Sequence, residues 1–376
     1  HETFPFNELK DEYYMPAFEE GIKQHQAEIN KIANNKQLPT FENTIVAMER
    51  SGALLNKVAT VFFALNGAET NDEMQEIAQK VSPLLTEHST AINLNEKLFA
   101  RVKAVYDQRE KLNLSVEDAK LLEDTYEGFA SNGANLPADK KEIFKQISKD
   151  LSLASVQFGQ NVLKETNGYS LLITDKNVLA GMPDDFMEMT ASKAKEAGKD
   201  GWLLNLRSTC YGPIMTYADN RDLRRELWMA YNTQCLPNSQ YDNTQLIQRI
   251  INLQLQKANL LGYETYADYA LRHRMAEQPS NVYKLLNDLM EAYKPAAQKE
   301  LKDVQDYASA HGAYFTIQPW DFGYYSEKLK TERFDVNDEI LKPYFELENV
   351  KKGVFGLATK LYGLHLSKNE KIQVYH

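Results

Sequence analysis

From about residue 11 to 166 the chain repeats one pattern: an apolar side chain at every third or fourth position. That spacing leaves little room for anything but successive amphipathic helices. In MPAFEEGIKQHQAEINKIANN the residues Phe18, Ile22, His25, Ile29 and Ile32 fall on one stripe. Pro39 and Thr40 punctuate it, with Thr40 reading as an N-cap, and FENTIVAMERSGALLNKVATVFFALNGAET reads as one longer helix. A third stripe runs on from Asn71 through Met74, Ile77, Val81, Leu84 or Leu85, His88 and Ile92, with Pro83 an expected kink. LNEKLFARVKAVYDQRE, SVEDAKLLEDTYEGFA and PADKKEIFKQISKDLSLASVQFGQNVLKET continue the pattern. The short connections imply that neighbouring helices pack antiparallel.

Beyond residue 166 the texture changes. YSLLIT (Tyr169–Thr174) and WLLNLRST (Trp202–Thr209) have strand character, with a helix-rich insert between them. TCYGPIMTYADNR reads as a turn out of the second strand into a helix, and QPWDFGYY as a loop. Helical patterns resume in NRDLRRELWMAYNTQ, NTQLIQRIINLQLQKANLLGY, ETYADYALRHRMA, SNVYKLLNDLMEAYKPAAQKELKDVQDYASA, DVNDEILKPYF and ENVKKGVFGLATKLYG. In the last sixteen residues, LYGLHLSKNEKIQVYH, the runs LHL and IQVYH read as strands of a sheet whose other members lie elsewhere. Unpaired edges seek partners, so the chain end is expected to be poorly ordered or to pair with another chain. The fold class expected is mainly α: one or more multi-helix, bundle-like lobes with a few short strands of an incomplete sheet. The expected division is an amino-terminal helical lobe over residues 1–166 and, over 167–376, a helical region with short strands that begins a catalytic domain.

Composition agrees. Gly (17) and Pro (12) are scarce for 376 residues, which favours long helices over a turn-rich β architecture. With 53 acidic against 43 basic residues the net charge is −10, so nothing draws the chain to nucleic acid or an anionic membrane. No apolar run approaches the roughly 18 residues of a membrane span. The two cysteines, Cys210 and Cys235, form no CxxC pair and no disulfide framework. The compartment, cytoplasm or periplasm, stays open. A first residue of His1 rather than Met, with no leader before it, suggests a missing lead-in.

No familiar site type meets its geometric requirement. A catalytic zinc helix places two histidines four residues apart, and no two of His1, His25, His88, His273, His311, His365 and His376 are so spaced. His25 and His88 lie on apolar stripes and read as hydrogen-bonded core or boundary residues. His273 sits between Arg272 and Arg274, whose charge disfavours a cation, and His311 reads as a helix-end residue before Gly312. Glu123 and Glu127, one turn apart, could share a proton, but a solvated helix face is the commoner arrangement. Cys210 and His273 make a conceivable distant thiol–base pair. Neither GxSxG nor a Gly-rich phosphate loop is present. No catalytic, cofactor-binding or metal-ligating residue is assigned.

Nine runs in order nevertheless carry a resemblance: FNELKDEYYMPAFEEGI, PTFENTIVAMERSGALLNKV, LNEKLFARV, FASNGANLPADKK, LRRELWMAYNTQ, LLGYETYADYALRHRMA, PWDFGYYSEKL, LKPYFELENVKKGVFGLATKLYGL and the terminal VYH. Together they resemble the thimet-oligopeptidase-like zinc metallopeptidases. FENTIVAMERSG and VFFALNGAETND are more similar to the bacterial peptidyl-dipeptidases of that group than to its oligopeptidases. The family's HExxH helix, its further glutamate ligand and its substrate-polarising tyrosine and histidine lie beyond the segment that VYH matches. The resemblance therefore implies the amino-terminal half of such an enzyme, inactive alone, with zinc in the full-length parent and none bound by this chain. It also implies two helical lobes facing a deep channel that admits short unfolded peptides, with residues 11–166 forming much of one wall. The partners implied are those peptides and the missing carboxyl-terminal half. TCYGPIMTY and PWDFGYY would border the cleft, or else pack their tyrosines between helices. Gln254 and Gln256 stand where the family usually has an arginine or an acidic residue, so a salt bridge common to relatives is in doubt. The competing reading is a non-enzymatic helical module that binds peptides or a protein partner.

Overall fold

A computed structural model describes residues 4–375. Helix accounts for 72% of the chain, and among the described residues the only sheet is a two-stranded ribbon. The chain divides into two compact units, one of residues 1–160, 244–281 and 371–376 and one of 161–243 and 282–370.

The first unit is built on α1 (Tyr14–Ala33), whose apolar stripe serves two cores. Phe18 meets the ring of Phe62 edge-on at 5.4 Å in one core, beside Leu55, Met74, Ile77 and Val81. Ile29 and Ile32 enter the other with Phe41, Ile45, Leu98, Val102, Leu122 and Phe129. Each aromatic pair of this kind adds about 0.5–1.5 kcal/mol beyond the area it buries.

Thr40 caps as expected: its hydroxyl accepts from the Asn43 amide while Asn43 Oδ1 accepts from the Thr40 amide. The segment it opens is not one helix. Phe41–Val46 is wound as a π-helical turn and leads into the short α2 (Ala47–Glu49), and the chain breaks before α3 (Ala53–Ala68). The cause is Gly52, at φ +72°, whose amide donates to Glu28 Oε2 at 2.7 Å. A Cβ there would lie 2.9 Å from the His25 ring, so only glycine lets the backbone approach α1 so closely. Arg101 fixes the connection before this turn, its guanidinium donating to the carbonyls of Asn35 and Gln37 and to the side chains of Asn43 and Thr44.

Asn71, Asn95 and Ser115 cap α4 (Asp72–Asn93), α5 (Glu96–Tyr106) and α6 (Val116–Ser131), each accepting from an amide in the first turn. Pro83 sits inside α4 without ending it. α7 (Ala138–Gly168) runs slightly past the expected limit and crosses from one unit to the other. α11 (Thr244–Leu260) and α12 (Tyr266–Leu271), the latter opened by a Thr265–Asp268 capping box, return to the first unit. The end of the chain differs from expectation. LHL and the described part of IQVYH form no strand; the Gln373 side-chain oxygen accepts from the Asn7 amide and the Tyr375 ring lies 5.8 Å from Phe6. His1 and His376 lie outside the described residues.

In the second unit the expected strands shorten to β1 (Leu171–Ile173) and β2 (Trp202–Leu204), paired antiparallel with Leu172 opposite Leu203. Gly201, at φ +122°, makes the approach possible, because a Cβ there would stand 2.3 Å from the Ile173 carbonyl. α8 (Asp184–Glu196) packs on β2. TCYGPIMTY is itself a helix, α9 (Ser208–Tyr217), with Pro213 inside it. Its Cys210 and Ile214 are buried with Leu204, Leu223 and Leu227, and this burial outweighs the turn signal of Gly-Pro. α10 (Arg221–Asn232) and α14 (Pro319–Phe334) pack against each other and against α9. QPWDFGYY, expected as a loop, is the start of α14: Pro319 opens it, and Asp321 accepts from the Gln318 amide at 2.9 Å. α13 (Pro279–Ala310) runs through Pro295. The short α15 (Asp338–Leu341) and then α16 (Leu347–Tyr362) come after α14.

Asp321 is fully buried and receives two guanidinium groups. Arg221 donates from Nε and Nη2, the latter at 2.8 Å, and Arg224, itself 1% exposed, donates from Nη2 at 2.9 Å. Burial would raise the carboxyl, but the Arg221 bonds, the Gln318 amide and Arg224 hold it below the usual aspartate range. Breaking a buried pair from one side strands the other charge. Asp321→Ala is therefore expected to cost about 3–5 kcal/mol in urea unfolding. All three tryptophans, Trp202, Trp228 and Trp320, belong to this unit, so their fluorescence reports it selectively. Arg221→Gln should cost clearly less, because Arg224 still faces the carboxylate.

Candidate functional site

The largest cavity described lies within the second unit and measures about 800 Å³. Its walls come from the Gly181–Asp185 turn, the end of α9 and α14, with Thr216, Tyr217, Asp219, Lys328 and Glu332 among the lining residues. One wall is held from behind by the buried arginine. Arg224 donates to the Ala218 and Asp219 carbonyls and, through Nε, to the Trp320 carbonyl at 3.0 Å, which fixes the turn carrying Asp219 against α14. The Tyr324 hydroxyl then donates to Asp219 Oδ1 at 2.7 Å, and Lys328 Nζ reaches the same oxygen at 3.3 Å. Burial pulls the Lys328 ammonium down, but its bonds to Tyr324 and Asp219 outweigh that and leave it raised, so it is charged at neutral pH. Across the cavity Lys342 Nζ bonds Asp185 at 2.7 Å and holds that carboxyl low. Glu327 has one oxygen paired with Lys330 and the other buried without a partner. The walls thus offer charges of both signs and several hydrogen-bonding groups, suited to holding a polar chain.

Tyr217 borders the cavity. Tyr211 stacks on Tyr231 at 4.3 Å, and Tyr324 is buried with the Arg224 guanidinium 4.1 Å above its ring.

A second cavity, of about 710 Å³, lies in the first unit and is lined by His25, Ser51 and His88. Both histidines are on helix stripes as read from sequence, but the structure joins them: His88 Nε2 is 3.0 Å from His25 Nδ1, and His25 Nε2 is 3.2 Å from Ser51 Oγ. The direction of this chain is fixed. Ser51 Oγ donates its proton to the Met48 carbonyl at 2.6 Å and so accepts from His25 Nε2. His25 Nδ1 is then the bare nitrogen that receives the proton of His88 Nε2. A nucleophilic serine gives its proton to the imidazole; here the imidazole gives to the serine, so the trio is no acyl-transfer site. The pairing escapes sequence reading because its members are 26 and 63 residues apart.

The remaining candidates are not brought into a site. His273 Nδ1 pairs with Glu127 Oε2 at 3.1 Å on an exposed surface, and Glu123 faces Lys120. His311 ends α13, its Nδ1 near the Tyr307 carbonyl. Cys210 is completely buried, its thiol pushed up by desolvation, and Cys235 is pushed up to about 11 by burial and by Glu165. Neither thiol supplies a thiolate at neutral pH. Among the described residues no group of three or more His, Cys, Asp or Glu is placed to hold a metal ion.

Similarity to known proteins extends over the whole chain. Residues 214–376 match Peptidase family M3. The chain is 36% identical over 373 residues to the dipeptidyl carboxypeptidase of Escherichia coli, covering 99% of this chain and 55% of that protein. It is 31% identical over 376 residues to oligopeptidase A of Salmonella typhimurium, again over 99% of this chain and 55% of the relative. A thimet-like oligopeptidase of Dictyostelium discoideum is 24% identical over 380 residues. The chain spans about half the length of the curated relatives it matches.

The imidazole pair sets a pH dependence. Burial lowers His25 and His88, with Glu28 partly opposing this at His25 and the His25 charge adding to it at His88. The unfolded chain therefore binds more protons than the folded one just below the ordinary histidine value near 6.5. Stability of the first unit is fully present above that value and is lost as pH falls toward the lowered pKa values. Imidazole ¹⁵N spectra are expected to show both rings titrating below about 6.5, and hydrogen exchange of α1 should speed up over the same interval. Midpoints at or above the free value, with exchange independent of pH, would contradict the buried neutral pair.

Proposed function

We propose that this chain is the amino-terminal part of a zinc-dependent peptidyl-dipeptidase of peptidase family M3 that releases dipeptides from the carboxyl ends of short unfolded peptides. The carrying observation is the span of similarity: 99% of this chain against 55% of a dipeptidyl carboxypeptidase, at higher identity than to the oligopeptidases A compared with it. On this reading the metal ligands belong to the other half of the enzyme, and no chemical step is derived from these residues; among the described residues no group of three or more His, Cys, Asp or Glu stands together. When bound there, zinc supplies Lewis-acid activation of water. This half contributes structure. The close-packed helices of the first unit make a stiff wall for a substrate channel, and the bipolar cavity of the second offers lysine and carboxylate groups to a peptide backbone.

One observation favours the second reading, a non-catalytic peptide-binding module: the cavity walls carry lysine and carboxylate groups of a kind that hold a peptide chain. Activity separates the two. The gene product extended past His376 is expected to release carboxyl-terminal dipeptides from an amino-blocked oligopeptide, to lose this with a chelator and to regain it with zinc. The 376-residue chain is expected to bind such peptides weakly and cleave none. Chelator-sensitive hydrolysis by a homogeneous preparation of the 376-residue chain would overturn the proposal. So would an extended product that binds peptides and releases no dipeptide.

A further inference from the structure

Two helices of the second unit present apolar stripes that no described residue covers. In α13 every residue from 283 to 302 is exposed. The helix is anchored at its carboxyl end, where Val304 and Ala308 pack with Ala313 and Ile317. Along the exposed stretch Tyr283, Leu286, Met290 and Tyr293 recur at intervals of three and four, one face of a helix. α16 has no buried residue. Its Leu347, Val350, Val354, Leu357 and Leu361 repeat the same spacing, and Leu347 is 69% exposed. A helical stretch of this length is marginal in water without tertiary packing. Contiguous apolar surface beyond a few hundred Å² marks an interface.

The occupant has to be long enough to cover nine large side chains on two helices, which a short peptide substrate is not. The relatives continue for nearly as many residues again beyond the matched half. α16 ends at Tyr362, so polypeptide joined to His376 is tethered within about 50 Å of it. A tethered segment acts at an effective concentration near the millimolar range, far above that of a second copy in dilute solution.

We infer that the Tyr283–Tyr293 and Leu347–Leu361 stripes are the docking surface for the polypeptide that continues past His376 in the intact protein. The inference rests on reading this chain as an amino-terminal half, and it names the surface by which that half is completed.

Hydrogen exchange of the intact gene product beside the 376-residue chain tests it. Peptides covering 283–293 and 347–361 are expected to exchange at least about tenfold more slowly in the intact protein. In the intact protein Met290→Asp with Leu357→Asp should abolish that protection, whereas Val116→Asp, at an exposed position of the first unit, should not. Equal exchange in the two forms overturns the inference. Protection that appears in the 376-residue chain alone and grows with its concentration also overturns it, in favour of a second copy. Peptidase activity is read separately: protected stripes in a protein that releases no dipeptides leave the docking surface standing and remove the proposed activity, and the reverse result does the opposite.

Discussion

The second unit depends on one buried ionic contact. Asp321 reaches its fully desolvated position only because two arginines and a backbone amide share its two oxygens. Arg224 in turn spends its remaining donors on the carbonyls of Ala218, Asp219 and Trp320. That single guanidinium joins α10, the turn after α9 and the start of α14, and so sets where Asp219 and Lys328 stand in the cavity wall. A well-packed apolar cluster could hold the helices equally well, but it would leave those three backbone carbonyls without donors. The charge is retained where backbone has to turn inside the unit.

The first unit solves a similar problem with a single carboxylate, a hydroxyl and imidazoles. Gly52 breaks the helical run after Thr40 so that the backbone can pass over His25; Glu28 accepts from the Gly52 amide, and His25 bonds Ser51 on one side and His88 on the other. The two units differ in chemistry but share a device: at each of these turns a side chain satisfies backbone groups that the end of a helix leaves free.

Local periodicity carries most of the fold. The α1 stripe, the caps at Thr40, Asn71, Asn95 and Ser115, and the strand character of β1 and β2 are all legible, because each is decided by residues within a few positions of one another. Beside the break at Gly52, two causes account for the departures. Proline is a local breaking signal at Pro213 and Pro319, yet it sits inside α9 in one place and opens α14 in the other, where burial and a capping aspartate decide the matter. The runs LHL and IQVYH have the composition of strands, and with no neighbouring strand to pair with they stay irregular. The His25–His88–Ser51 chain and the Arg221–Asp321–Arg224 contact are out of reach of sequence, since nothing local marks partners 63 or 100 residues away. The family, by contrast, is legible from short runs in a fixed order, which no single helix pattern could supply.

The proposed division of labour between two halves is the central claim: under it this half supplies walls and a docking surface, and the other half holds the metal. Zinc stoichiometry by native mass spectrometry addresses it most directly. The expected result is no tightly bound zinc on the 376-residue chain and one zinc on the product extended past His376. One zinc retained by the 376-residue chain, and lost when its histidines are replaced, would contradict it.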